Sequence, residues 1–312
     1  MAVENIFIAG MEKCGTTALS EWMVTNGLAE DRVRGQKEPF LYANDEPHPA
    51  RFRRSSLPLL DASVGYAAVP HIVQRLPEHD TRIVICLRNQ LERTWSSYKM
   101  KKIMSKRLLE GSTSDEAMAY LRSFQSSAGT GRTPSDPEKA EPHRIIRKFF
   151  PRRSHHIVEG YERQEMAFVH SHSFMERIEY ELAFYLSRRS LPFVSILSAS
   201  FYYSPLRNLL EKYQPSDVSV LTVEKLADAD NRRRFVAGVF ERDVETLDVP
   251  FVFSSADVGI DEPKPDFNDK AFDLLRASFR YDLSQARELI AKTCFGDSLL
   301  DNAALERYLE PR

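Results

Sequence analysis

The sequence predicts an α/β fold, a single domain with a central parallel sheet flanked by helices, and three observations carry that reading. An apolar run, Ile6-Phe7-Ile8-Ala9, ends in a glycine-framed loop and passes directly into a helical pattern, where Ala18, Leu19, Trp22 and Met23 recur at the 3.6-residue spacing. A second run, residues 81–87 (TRIVICL), is β-branched and uninterrupted, as a strand buried on both faces should be. Helical patterns then alternate with short apolar runs as far as residue 294. The 312 residues, 42% hydrophobic and 28% charged, are ordinary for a globular chain and enough to bury a large core.

The first element, residues 6–23, is a P-loop-like strand, loop and helix. Gly10 and Gly15 bound the loop, Lys13 lies inside it, and Thr16 and Thr17 open the helix. The unpaired N–H groups of a helix start and the positive end of its dipole stabilise an anion before any side chain contributes. In the nucleoside-triphosphatase motif GxxxxGK[ST] the lysine follows the second glycine. Thr16 stands at that place here, and the positive charge is displaced to Lys13. The order Lys13-Cys14-Gly15-Thr16-Thr17-Ala18-Leu19 resembles instead the PKxGTTxL loop of sulfotransferases that use 3′-phosphoadenosine-5′-phosphosulfate (PAPS), with Glu12 in place of the usual proline. That resemblance implies that Lys13, Cys14, Gly15, Thr16, Thr17 and Ala18 bind the cofactor. It also implies a catalytic Lys13 that stabilises charge on the departing 5′-phosphate.

Residues 31–35 read as a turn and a short extended piece, followed by Lys37-Glu38-Pro39-Phe40, where Pro39 biases Glu38 away from helix. These four residues resemble the KEPHFF segment of the sulfotransferases that act on carbohydrate hydroxyls, such as the heparan-sulfate enzymes. The likeness implies that Glu38 is the base taking the acceptor's proton. Residues 44–57, rich in Pro, His, Arg and Ser, read as a surface loop, and residues 59–63 as a short strand leading to Val64-Gly65-Tyr66. The stretch DASVGYAAVP resembles the family's ASPSYL type of segment. The carbohydrate enzymes often carry a lysine where Ala62 stands, so no second catalytic lysine transfers to that position.

After a short helix at 67–76, the strand at 81–87 delivers Arg88 at its carboxyl end, the edge at which ligands gather in open parallel sheets. The run from Arg88 to Tyr98 resembles the 3′-phosphate motif RxPxERxxSxY, with Gln90 where proline is usual. Arg88 at the strand end and Ser96, eight residues on and about two helical turns in, have the residue types to converge on one phosphate.

Residues 103–190 are expected to cover the acceptor side within one domain of residues 1–312. Helices are expected at 116–124 and 174–186, a loop at 129–142, and a basic, aromatic and histidine-bearing stretch at 144–161 that could line an acceptor groove. The pairs His155-His156 and His170/His172 lack a third ligand at a recognisable spacing, so no metal is expected. Further on, a tyrosine-headed helix at 198–213, a strand at 218–223 followed by Glu224-Lys225-Leu226, a helix at 232–245 and terminal helices at 267–294 follow the family's order. The family's basic loop over the adenosine is reduced to Glu262-Pro263-Lys264-Pro265, and Lys264 stays outside the expected site.

The net charge of −2 hides an asymmetry: residues 1–156 hold 24 Lys and Arg against 18 Asp and Glu, and the remainder 19 against 27. The basic half carries the phosphate-type loop, with acid-free stretches at 51–54, 99–107 and 144–153 that can steer a polyanion. Cys14, Cys86 and Cys294 are far apart and odd in number, which fits a reducing compartment. With no run long enough to span a bilayer and no basic-then-apolar leader, a cytoplasmic protein without membrane insertion or nucleic-acid partner is expected. The resemblance implies sulfuryl transfer from PAPS to the hydroxyl of a carbohydrate or small-molecule acceptor. Two other readings stay open: a P-loop-type kinase using ATP and magnesium, and a non-catalytic nucleotide-binding domain.

Overall fold

The computed structural model describes residues 3–43, 48–109, 168–188, 191, 195–244, 260 and 262–310. In chain order its elements are β1 (Asn5–Gly10), α1 (Thr16–Thr25), β2 (Glu30–Asp31), β3 (Leu59–Asp61), α2 (Pro70–Val73), β4 (Thr81–Cys86), α3 (Gln90–Leu109), α4 (Phe174–Arg188), α5 (Tyr203–Leu210), β5 (Val218–Leu221), α6 (Ala229–Phe240), α7 (Asp273–Ile290) and α8 (Asn302–Glu306). The chain forms two compact units: Met1–Arg93 with Ala199–Ser254 and Asp266–Arg312, and Thr94–Ser198 with Ser255–Pro265.

The first unit is built on a five-stranded sheet in the order β2-β3-β1-β4-β5, with every pairing parallel. This is the predicted α/β class. Ile6, Phe7, Ile8 and Ala9 of β1 and Ile83, Val84, Ile85 and Cys86 of β4 are fully buried. Such uninterrupted burial requires cover on both sheet faces, which is why neither strand alternates apolar with polar residues. From central β1 the chain moves to β2 and β3 on one side and returns to β4 and β5 on the other. The order reverses at β1, so its carboxyl end, with the ends of β3 and β4 beside it, is the position at which parallel sheets of this kind bind ligands.

Several boundaries differ from the sequence reading for local reasons. The helix expected at 67–76 is a 3-10 turn, Tyr66–Ala68, followed by α2, because Pro70 restarts the helix in its first turn. Helix α6 starts three residues early, where the Asp228 carboxylate accepts the Asn231 N–H at 2.9 Å, and it ends at Phe240 because Glu241 turns left-handed. Strand β5 stops at Leu221, after which Val223–Ala227 forms a 3-10 turn.

In the second unit α4 covers the helix expected at 174–186. Trp95, Tyr98 and Phe174 form an aromatic cluster with ring centroids 5.1–5.6 Å apart. The Glu262 carboxylate accepts from the Tyr98 hydroxyl at 2.5 Å and the Phe174 N–H at 2.8 Å, tying the 262–265 stretch to this cluster. Arg177 and Glu181 make a fully buried ion pair at 2.8 Å, and Glu181 also accepts from Ser195, Ile196 N–H and Leu197 N–H. A buried pair is tolerated only when its remaining lone pairs are met in this way. The helix expected at 116–124, the loop at 129–142, the 144–161 stretch and His155-His156 lie outside the described residues.

Candidate active site

The loop between β1 and α1 is pinned at both ends. Met11 N–H donates to the Cys86 carbonyl at the end of β4 (3.0 Å), and Cys14 N–H closes a turn onto the Met11 carbonyl at 3.2 Å. Lys13 and Gly15 both take positive φ, 65° and 84°. At Gly15 glycine is strongly favoured. Besides the left-handed backbone, an added Cβ would lie 2.9 Å from Cγ2 of buried Val223, which opens the turn after β5. As the N-cap of α1, Gly15 brings no side-chain acceptor to the first-turn N–H groups, the kind of helix start at which an anion can bind.

Glu12, which replaces the usual proline, has a definite job. Arg93, fully buried, donates through Nε to the Glu12 carbonyl (3.0 Å), through Nη2 to its carboxylate (3.3 Å) and through Nη1 to Ser200 Oγ (2.8 Å). Gln90, the other departure from the resemblance, donates to the Ser200 carbonyl at 2.7 Å and to the Asp282 carboxylate at 2.9 Å. Both substitutions therefore anchor the loop and the start of α3 to the same short stretch around Ser200.

Cys14 points away from this surface. Its Sγ lies 3.9 Å from the Tyr202 hydroxyl, which itself donates to the Arg88 carbonyl at 2.5 Å. Burial pushes the Cys14 thiol up to about 11, against the lowering influence of Arg93, the Tyr202 hydrogen bond and Arg88. It stays protonated at neutral pH and is no nucleophile. Its contribution is packing beneath the loop.

Residues 37–42 come to the same helix start from the other side. The Lys37 carbonyl accepts Ala62 N–H at 3.0 Å, while its Nζ donates to Thr16 Oγ1 at 3.2 Å and to Glu38 Oε1 at 2.6 Å. Farther along, Phe40 N–H donates to Ser63 Oγ (2.9 Å) and Tyr42 N–H to the Tyr66 hydroxyl (3.3 Å). Both hydroxyls then donate to Asp61, at 2.5 and 3.3 Å. Burial raises the Asp61 carboxyl to about 6, while the Ser63 hydrogen bonds and the Arg32 charge pull the other way. One buried carboxyl at the end of β3 thus orients two hydroxyls that fix the Glu38 segment.

Arg88 follows β4 at the sheet's carboxyl edge, its guanidinium 3.8 Å from the Glu92 carboxylate one turn into α3. The resulting set of groups is suited to a polyanion: an α1 N-terminus, the Thr16 hydroxyl, the Lys37 ammonium and the Arg88 guanidinium, with a carboxylate beside Lys37 that can take up a proton. Among the described residues no group of three or more His, Cys, Asp and Glu is placed to hold a metal.

No family model matches the chain, and no curated protein matches it either. Among solved structures, the crystal structure of a sulfotransferase from Alicyclobacillus acidocaldarius is similar at 18% identity and a TM-score of 0.52, over 94% of this chain and 97% of that one. The chain has a sulfotransferase fold. At that identity the likeness concerns architecture, and the site must be argued from this chain's own residues.

The sulfotransferase fold here carries Lys13, Cys14, Gly15, Thr16, Thr17 and Ala18 on one loop and helix start, and Lys37 links Glu38 to them through Thr16. Ser96 is buried on α3 within the second unit, and Lys264 also belongs to that unit; the pairing of Ser96 with Arg88 rests on sequence spacing. The sequence reading left Lys37 outside the site, naming it only as the first residue of the Lys37-Glu38-Pro39-Phe40 match. It also passed over Arg93, whose partner Glu12 is 81 residues away.

Proposed function

We propose that the chain is a PAPS-dependent sulfotransferase that moves a sulfuryl group to the hydroxyl of a carbohydrate or small-molecule acceptor. The observation that carries this reading is the Thr16–Lys37–Glu38 chain of hydrogen bonds, which sets a carboxylate beside an anion-binding helix start. PAPS would supply an activated sulfuryl group bonded to a 5′-phosphate leaving group. The N–H groups opening α1 and the hydroxyls of Thr16 and Thr17 would hold that phosphate. Lys13 would neutralise the electron pair left on the 5′-phosphate oxygen as its bond to sulfur breaks, and Glu38 would take the proton of the acceptor hydroxyl as the new oxygen–sulfur bond forms. The protein's work is positioning and neutralising, as in phosphoryl transfer.

The kinase reading needs a lysine after the second glycine, where Thr16 stands. The non-catalytic reading drew on the departures at Glu12, Ala62 and Gln90. Two of the three, Glu12 and Gln90, are anchors of the loop and of α3, which weakens that reading.

The decisive experiment concerns the 3′-phosphate, assigned to Arg88 together with Ser96. A charge-assisted contact is worth roughly 1.5–3 kcal/mol, about ten- to a hundredfold in affinity. Calorimetry should show adenosine 3′,5′-bisphosphate binding that much more tightly than AMP, with Arg88→Ala removing most of the preference and Ser96→Ala less. Equal wild-type affinity for the two nucleotides would sink the proposal.

A further inference from the structure

Lys37 carries an inference that deepens this reading and rests on it. The ammonium of a lysine has three N–H donors. At Lys37 one is spent on Thr16 Oγ1 at 3.2 Å and one on Glu38 Oε1 at 2.6 Å, and among the described residues the third has no protein acceptor. The side chain is 20% exposed and Glu38 is 28% exposed, so the pair is half-buried and within reach of solvent and of a bound ligand. Its stem cannot wander far, because the Lys37 carbonyl is fixed by Ala62 N–H and the backbone beyond it by Ser63 and Tyr66.

The two partners mark the two ends of the reaction. Thr16 opens the helix that receives the 5′-phosphate, and Glu38 is the group that receives the acceptor's proton. In an in-line transfer the moving group lies between those ends. On that reading, a cation hydrogen-bonded to both would lie beside the group in transit. We propose that Lys37 binds the sulfuryl group itself, its third N–H donating to a sulfuryl oxygen, so that this residue distinguishes the phosphosulfate donor from the bisphosphate product. Lys13 and Lys37 then divide the work: the first answers the charge on the leaving phosphate, the second holds the group in transit and keeps Glu38 aimed at it. No bond forms or breaks at Lys37, and it stays an ammonium throughout.

The test is calorimetric and needs no turnover. The wild type, Lys37→Met and Lys37→Arg are titrated without acceptor against PAPS and against adenosine 3′,5′-bisphosphate, which lacks the sulfuryl group. Lys37→Met keeps the apolar stem and should weaken PAPS binding about tenfold, the scale of one charge-assisted hydrogen bond, while changing bisphosphate affinity less than about twofold. Lys37→Arg should recover part of the loss, which also answers a folding defect in the methionine variant. Equal weakening for both nucleotides would make Lys37 a general phosphate attractor and overturn the assignment. Unchanged affinity for both would reduce it to a partner of Glu38 and overturn it as well. Failure of the functional reading is a separate result: the wild type would then show no preference for the bisphosphate over AMP, whatever Lys37 does.

Discussion

The loop at 11–15 and the segment at 37–42 flank the same helix start but differ in what chiefly holds them. The loop takes its shape mainly from its own backbone, through two left-handed residues, a glycine set close against Val223 and a short turn closed by Cys14 on Met11, with buried Arg93 anchoring it at Glu12. The segment is suspended from side chains, with Ser63 and Tyr66 holding its N–H groups and Asp61 holding them in turn. A phosphate cradle must present backbone N–H groups, so its geometry has to be local. A base only has to be aimed, and aiming can be delegated to a buried network.

The largest effect should come from the end of the segment that carries the proposed base, Glu38. Glu38→Gln keeps the shape and removes proton uptake, so turnover should fall about 10²-fold or more while affinity for adenosine 3′,5′-bisphosphate stays within about twofold. Near-normal turnover, with the chemical step shown to be rate-limiting, would remove Glu38 from the mechanism.

Lys13→Ala tests the loop's chemical role. A lost donor to a developing charge costs on the order of 2–4 kcal/mol, and it should appear in kcat more than in PAPS affinity. A raised KM with kcat intact would make Lys13 a docking residue.

Gly15→Ala tests the loop's local construction. A left-handed alanine pressed against Val223 should cost about 1–3 kcal/mol in thermal unfolding and weaken bisphosphate binding. Adding Val223→Ala should relieve the clash but not the backbone strain, so recovery should be partial. Full tolerance of Gly15→Ala would mean that the loop is not built as described.

The smallest effect sharpens the contrast from the segment's side. Burial lifts the Asp61 carboxyl from 3.8 to about 6, so between those values the folded chain holds a proton that the unfolded chain has released. Stability contributed by this group is therefore present at low pH and falls as pH rises through roughly 4 to 6. The melting temperature of the wild type relative to Asp61→Asn should decline over that window and level off above it. The variant should lower kcat modestly through the Glu38 segment and leave bisphosphate affinity, a property of the loop, unchanged. Parallel pH profiles for the two proteins would show that Asp61 carries no such linkage.

What the sequence determined by itself is what consecutive residues can encode. The strand, glycine-framed loop and helix of residues 5–25, the buried strand ending before Arg88, and the parallel α/β class all follow from apolar period, glycine placement and chain order, which act over a few residues at a time. The identities of Lys13, Thr16 and Arg88 as anion-facing candidates came from the same local pattern. Tertiary structure decided the rest, because the deciding contacts bridge long separations: 21 residues from Lys37 to Thr16, 81 from Arg93 to Glu12, and 192 from Gln90 to Asp282. No window of sequence spans such pairs. Glu12 and Gln90 therefore read as departures from a motif until their partners are in place, and Lys37 as a bystander until Thr16 comes within 3.2 Å. Only the folded sheet, with β1 between β3 and β4, brings these distant residues together.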